Sequence, residues 1–139
     1  MREAIGGSIL FYIILGFLAV YIVFIGVIMN YAATYLASNY VLTRIEQTEA
    51  NIEVGLPSDT ADKDTLYGVL KSRNYNNALN VCCYDVGQTG NSIYKITTYV
   101  NFEVPLLGLD MKLNVKNDTK TIYGVRCSDR EKQGYLRCN

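Results

Sequence analysis

The sequence has no histidine and no tryptophan, only two prolines, and no charged residue between Glu3 and Arg44. Each absence excludes something. Without His, the usual general base and the usual activator of a Ser or Cys nucleophile are missing. No phosphate-cradling Gly loop, nucleophile elbow or HExxH motif takes their place. No CxxC pair exists, so a zinc site would need all four cysteines, two of them adjacent. Neither catalysis nor a cofactor nor a metal is expected. The 13 basic and 13 acidic residues balance across 139 positions, without the basic footprint of a nucleic-acid-binding domain. This length supports one small domain.

What the chain does have is a long apolar run. Ser8–Met29 reads SILFYIILGFLAVYIVFIGVIM, with Ser8, Tyr12 and Tyr21 as its only polar groups. At about 1.5 Å per residue the run is roughly 33 Å long, enough for a hydrocarbon core of about 30 Å. A secretory signal peptide has a shorter apolar region, about 7–15 residues, closed by small residues at a cleavage site. Here Ala32-Ala33 comes late, and a retained transmembrane helix is expected. Residues 1–36 then form the membrane unit. Residues 37–139 form an extracytoplasmic domain that includes an amphipathic continuation of the helix over 37–50.

Arg2 and the α-amino group flank one end of the run, and nothing basic follows until Arg44. The positive-inside rule therefore favours a cytoplasmic N-terminus. Cys82, Cys83, Cys127 and Cys138 all follow the run. An even count in a small domain fits two disulfides in an oxidising compartment. Adjacent residues on a strand point to opposite faces, so Cys82 and Cys83 are expected to bond to separate partners, Cys127 and Cys138. Which takes which is open, and a vicinal Cys82–Cys83 bridge with a Cys127–Cys138 loop is the alternative.

The helical signal continues past the run. Tyr31, Tyr35, Ser38, Leu42 and Ile45 recur at three- and four-residue spacing, with Thr34 and Val41 beside them. Asn30, Ala37, Asn39, Arg44 and Gln47 fall on the other side. One helix from Ile5 to Thr48 is expected, apolar all round at first and then amphipathic. Glu46, Glu49 and Glu53 read as its solvated end. After Gly55-Leu56-Pro57, Ser58-Asp59-Thr60 offers N-caps and Asp62 and Asp64 suit a helix start. Leu66, Val69 and Leu70 give that short helix an inward face. The same carboxylates lack the fixed ligand positions and Gly of a calcium loop.

From Leu79 the period becomes two. Tyr94, Ile96, Thr98, Val100, Phe102 and Val104 alternate with polar partners, and so do Leu109, Met111, Leu113 and Val115. Pro105-Leu106-Leu107-Gly108 separates the two runs. Asn117-Asp118 is expected to turn the chain back through a strand at Thr119–Val125. With Asn80–Val86 this gives about four antiparallel strands, one face polar and the other packed on the helices. The class is α+β: a long N-terminal helix packed on a small antiparallel sheet, with one short extra helix. Asn117-Asp118-Thr119 is also a glycosylation sequon, a pattern common by chance.

Three features carry a resemblance to a known class. They are the membrane run Ile9–Met29, the amphipathic continuation Tyr31–Arg44, and the strand–Pro–strand segment Val100–Leu107 leading into Leu109–Val115. Together they resemble the TadE-like pseudopilins of tight-adherence pili, within the type IV pilin-like class. The resemblance implies a structural subunit whose partners are the lipid bilayer, other pilin-like subunits and a membrane assembly platform, as a homo- or hetero-oligomer. It implies a helix-packing interface at Leu10, Phe11, Leu15, Phe17, Leu18, Ile22, Phe24, Ile25, Tyr31 and Tyr35. It also implies a location in the membrane or in an extracellular filament. Pilin precursors carry Glu five residues into the mature helix. Here a cut after Gly7 places Tyr12 there, and a cut after Ala4 places Ile9. A membrane-anchored extracytoplasmic binding or accessory protein is therefore the second class kept in view.

Overall fold

In the computed structural model the helical run is unbroken: α1 spans Arg2–Gln47, 46 residues. The structure describes residues 2–58, 64–73, 75, 78–88, 90–104 and 108–139, with side chains from residue 6 onward. Asp59, Thr60, Asp62 and Pro105-Leu106-Leu107, singled out above, lie outside the described residues. After α1 come α2 (Leu66–Ser72), β1 (Ala78–Val86), β2 (Asn91–Val104), β3 (Leu109–Asp118), α3 (Cys127–Arg130), a 3-10 turn (Glu131–Gln133) and β4 (Leu136–Arg137). The α+β class with a long apolar helix, a four-stranded sheet and a short extra helix is what the chain adopts.

The sheet order is β3-β2-β1-β4. β1 and β2 pair antiparallel, as do β2 and β3, but β4 lies parallel to β1. The sheet is thus mixed, not wholly antiparallel, and its fourth strand is not Thr119–Val125. The expected turn at Asn117-Asp118 is absent too, since β3 runs through both residues. A two-residue hairpin turn favours Gly at its second position, which Asp118 does not supply. Asn117 is instead held inward, its Nδ2 donating to Ser38 Oγ at 2.9 Å and to Asn39 Oδ1 at 3.4 Å. The chain beyond β3 stays beside β2: Ser92 and Ile122 exchange backbone hydrogen bonds of 3.0 and 2.8 Å.

Alternation places Ser92, Tyr94, Ile96, Thr98, Val100 and Val104 of β2 on the helix side, all buried. Leu79, Val81 and Cys83 of β1 join them. The core forms between this face and Ala37, Val41 and Ile45 of α1, Leu66, Val69 and Leu70 of α2, and Ile122, Val125 and Tyr135 of the C-terminal segment. The Tyr94 and Tyr135 rings meet edge-on at 5.0 Å, and Tyr135 donates its hydroxyl to the Ile52 carbonyl at 2.9 Å.

The buried face of α1 is rotated from the expected stripe. Thr34, Ala37, Ser38, Val41 and Ile45 are buried, whereas Tyr31 and Tyr35 are 46% and 45% exposed. Ala37, assigned above to the outer side, has no exposure at all. Small side chains let the sheet approach the helix backbone closely, a benefit that counting apolar residues does not register. Glu46 is likewise not merely solvated, since its Oε1 accepts a 2.8 Å hydrogen bond from the Lys120 amide.

Two residues with positive φ, Glu49 (50°) and Ala50 (57°), end the helix. Arg130 ties this corner to the C-terminal segment, with Nη2 donating to the Glu49 carbonyl at 3.2 Å and Nη1 to Asn51 Oδ1 at 2.9 Å. The N-cap of α2 is Thr65, whose Oγ1 accepts from the Gly68 amide at 3.0 Å.

Candidate functional site

The first half of α1 exposes a continuous run of large apolar side chains. Among the described residues one helix, Gly6–Gln47, is long and apolar enough to cross a membrane, and its most apolar stretch has no buried residue. Leu10, Phe11, Leu15, Phe17, Leu18, Ile22, Phe24 and Ile25 are all exposed, up to 74% at Phe17. Leu10, Phe17, Phe24 and Tyr31 recur every seven residues, as do Phe11, Leu18 and Ile25. Seven residues is close to two helical turns, so these sets form two longitudinal ridges. In water such a surface is strongly unfavourable, at about 25 cal/mol per Å² of exposed apolar area. It calls for lipid or other helices.

Past that half, the helix acquires polar groups that remain compatible with its backbone. Asn30 Nδ2 donates to the Gly26 carbonyl at 3.0 Å and Thr34 Oγ1 to the Asn30 carbonyl at 2.8 Å. Tyr31 and Tyr35 stand exposed one turn apart, where Tyr is favoured at a membrane–water boundary. The sheet meets the helix lower than the amphipathic stretch alone suggested. A Cβ placed on Gly26 would lie 3.9 Å from the Phe102 ring. Gly26 and Phe102 were not singled out as a pair, and only a glycine inside an apolar run hinted at a close approach.

At the opposite end, the disulfides close the sheet onto the C-terminal segment. Cys83 points inward and bonds Cys127, with both residues buried. Cys82, on the outer face of β1, bonds Cys138. No free cysteine remains. The Cys138 amide also donates to the Cys83 carbonyl at 2.9 Å, and Asp85 Oδ1 accepts from the Cys127 amide at 2.9 Å. Two bridges therefore anchor a C-terminal strand that is only two residues long.

Chemically reactive arrangements are sparse. Among the described residues no group of His, Cys, Asp or Glu is placed to hold a metal ion. Burial pushes the Tyr135 and Tyr94 hydroxyls above the usual tyrosine range, with Ser92 partly opposing the rise at Tyr94. Both therefore stay neutral at physiological pH. One cationic cleft of about 400 Å3 is lined by Tyr40, Arg44, Val69, Ser72 and Arg73. The Arg73 guanidinium lies 4.6 Å from the Tyr40 ring centroid, and Arg44 Nε is buried without a hydrogen-bond partner among the described residues.

No protein-family model, curated protein or solved structure matches the chain.

Proposed function

We propose that this chain is a non-enzymatic structural subunit of the pilin-like kind, similar to the TadE-like pseudopilins. It spans the membrane once with its N-terminus cytoplasmic and its disulfide-bonded domain outside. It assembles by packing the first half of α1 against the helices of other subunits. The observation that carries this reading is the division of a single helix. Every residue from Gly6 to Ile22 is exposed, whereas Thr34, Ala37, Ser38, Val41 and Ile45 are built into the domain. Such a helix transmits position rigidly from membrane to domain, and its apolar ridges exchange lipid for neighbouring helices without rearranging the domain. Two disulfides support the external placement of that domain.

A photo-crosslinking residue at Phe17 or Phe24 in intact cells tests this reading. Adducts with a second copy, or with another subunit bearing an apolar helix, are expected in material sheared from the cell surface. Recovery from membranes alone, with no protein adduct, contradicts it.

The cleft of Tyr40, Arg44, Ser72 and Arg73 favours a second reading. Among the described residues it offers two guanidinium groups and no lining carboxylate, a surface suited to an acidic group on a partner. In that reading the protein is a membrane-anchored accessory factor outside any filament. Loss of partner capture on Arg73→Ala, with crosslinking at Phe17 absent, distinguishes it.

A further inference from the structure

We infer that the described strand ends nearest the β2–β3 connection, Phe102–Val104 and Leu109–Met111, here called the tip, are a second membrane contact, seated at the boundary between acyl chains and headgroups of the outer leaflet. The inference rests on the reading that the N-terminal half of α1 spans the membrane, and not on filament assembly.

Three contacts fix how the hairpin lies along α1. Phe102, paired with Met111, meets the helix at Gly26; Asn117 meets it at Ser38; Lys120 meets it at Glu46. β3 thus runs in the same direction as the helix. From Gly26 to Ser38 the helix rises roughly 18 Å, and from Met111 to Asn117 the strand advances roughly 20 Å. The two lengths agree, so the hairpin tip points toward the N-terminal end of α1. Val104 and Leu109, paired with each other, lie two residues nearer the tip, roughly 7 Å further along.

That places the tip at the edge of the membrane. About 20 residues cross the hydrocarbon. Counted from Ile5 they end at Phe24, and the apolar run itself ends at Met29. Gly26 lies between the two, and the Val104–Leu109 pair lies beyond it on the bilayer side. The helix-facing side of the tip is apolar, with Phe102 half-buried, Leu109 50% exposed and Met111 39% exposed. These side chains continue the exposed apolar surface that Ile22, Phe24 and Ile25 present at the same level. Lipid already required by the helix therefore covers the hairpin as well.

The opposite side of the tip sets the depth. Glu103 and Asp110 face one another across the strands and are exposed. Two adjacent carboxylates are costly in hydrocarbon, and so is the unpaired edge of β3. The tip consequently rests at the boundary, with its apolar face against acyl chains and its carboxylates in headgroup water. An apolar face buried about 5–10 Å into this zone is the usual depth of an interfacial element.

The absence of tryptophan supplies a clean probe. Full-length, disulfide-bonded Met111→Trp and Leu109→Trp proteins are placed in phosphatidylcholine vesicles with or without acyl-chain bromine. Tyr21→Trp reports the span and Tyr123→Trp reports the domain surface. Met111→Trp and Leu109→Trp are expected to lose emission in brominated vesicles, as Tyr21→Trp does. Their spectra should also lie to the blue of Tyr123→Trp, which keeps its intensity. If neither tip variant is quenched while Tyr21→Trp is, the span stands and the tip contact is refuted. If Tyr21→Trp also escapes quenching, the span itself fails, and this inference with it. Tip residues shielded from aqueous acrylamide but untouched by bromine would show a protein partner there, which also overturns the proposal.

Discussion

Phe102 and Gly26 meet where the helix has no side chain: the ring stands 3.9 Å from the site a Cβ would occupy. This approach, 76 positions apart in sequence, brings the hairpin against the apolar half of α1.

That spacing is ordinary van der Waals contact, so Gly26→Ala should be tolerated. It should even stabilise the helix by about 0.5–1 kcal/mol, the usual gain on replacing a helical Gly. Gly26→Leu has no such room and should push Phe102 away. Faster amide hydrogen exchange at residues 100–104 and 109–113 in the Leu variant, but not in the Ala variant, is the expected pattern.

The Asn117–Ser38 hydrogen bond is the shorter of two polar ties between β3 and α1. Ser38→Ala should lower stability by about 1 kcal/mol, read as an earlier unfolding midpoint in detergent micelles. A bulky Ser38→Leu should cost more, because Ser38 has no exposure and the sheet sits directly on it.

Glu49 is exposed and carries a φ of 50°. Glycine adopts that conformation without the penalty an L side chain incurs. Glu49→Gly should therefore stabilise the fold by about 0.5–1 kcal/mol. Ala50→Gly should gain less, since it also removes a buried methyl group.

Closing loops with sequence separations of 44 and 56 residues, each disulfide restricts the unfolded chain by about 4 kcal/mol in the chain-entropy account. Replacing Cys83 and Cys127 together by Ala should destabilise more than replacing Cys82 and Cys138, because the first pair is buried. Non-reducing peptide mapping should link Cys82 to Cys138 and Cys83 to Cys127.

Tyr135 is held neutral by burial, its pKa raised above the usual tyrosine value of about 10. The folded state therefore keeps a proton that the unfolded state releases first. Stability should be level below pH ~10 and fall above it, by up to about 1.4 kcal/mol per pH unit from this group. Tyr135→Phe should flatten that decline in denaturation curves taken at rising pH.

Much of the architecture was legible because its signals are long. A charge-free run defines α1, and strict alternation defines β2 and β3. The misreadings have local causes. Tyr31 and Tyr35 outweigh Thr34 and Ala37 on any hydrophobic count, yet the smaller residues allow the sheet to sit closer. Asn117-Asp118 resembles a turn only until Ser38 claims the Asn117 amide. β4 has two residues and no pattern, and Cys138 and the Cys83 carbonyl hold it in place. The helix-packing residues from Leu10 to Ile25 were readable as apolar. In the folded chain they stand exposed.

The most direct measurement is the intact mass of the protein extracted from carbonate-washed membranes. A retained span with an oxidised domain predicts a chain that includes Ser8–Met29 and lacks four hydrogens relative to its reduced form, two for each disulfide. A chain beginning beyond Ala33, protein found only in the wash, or a fully reduced mass would contradict it.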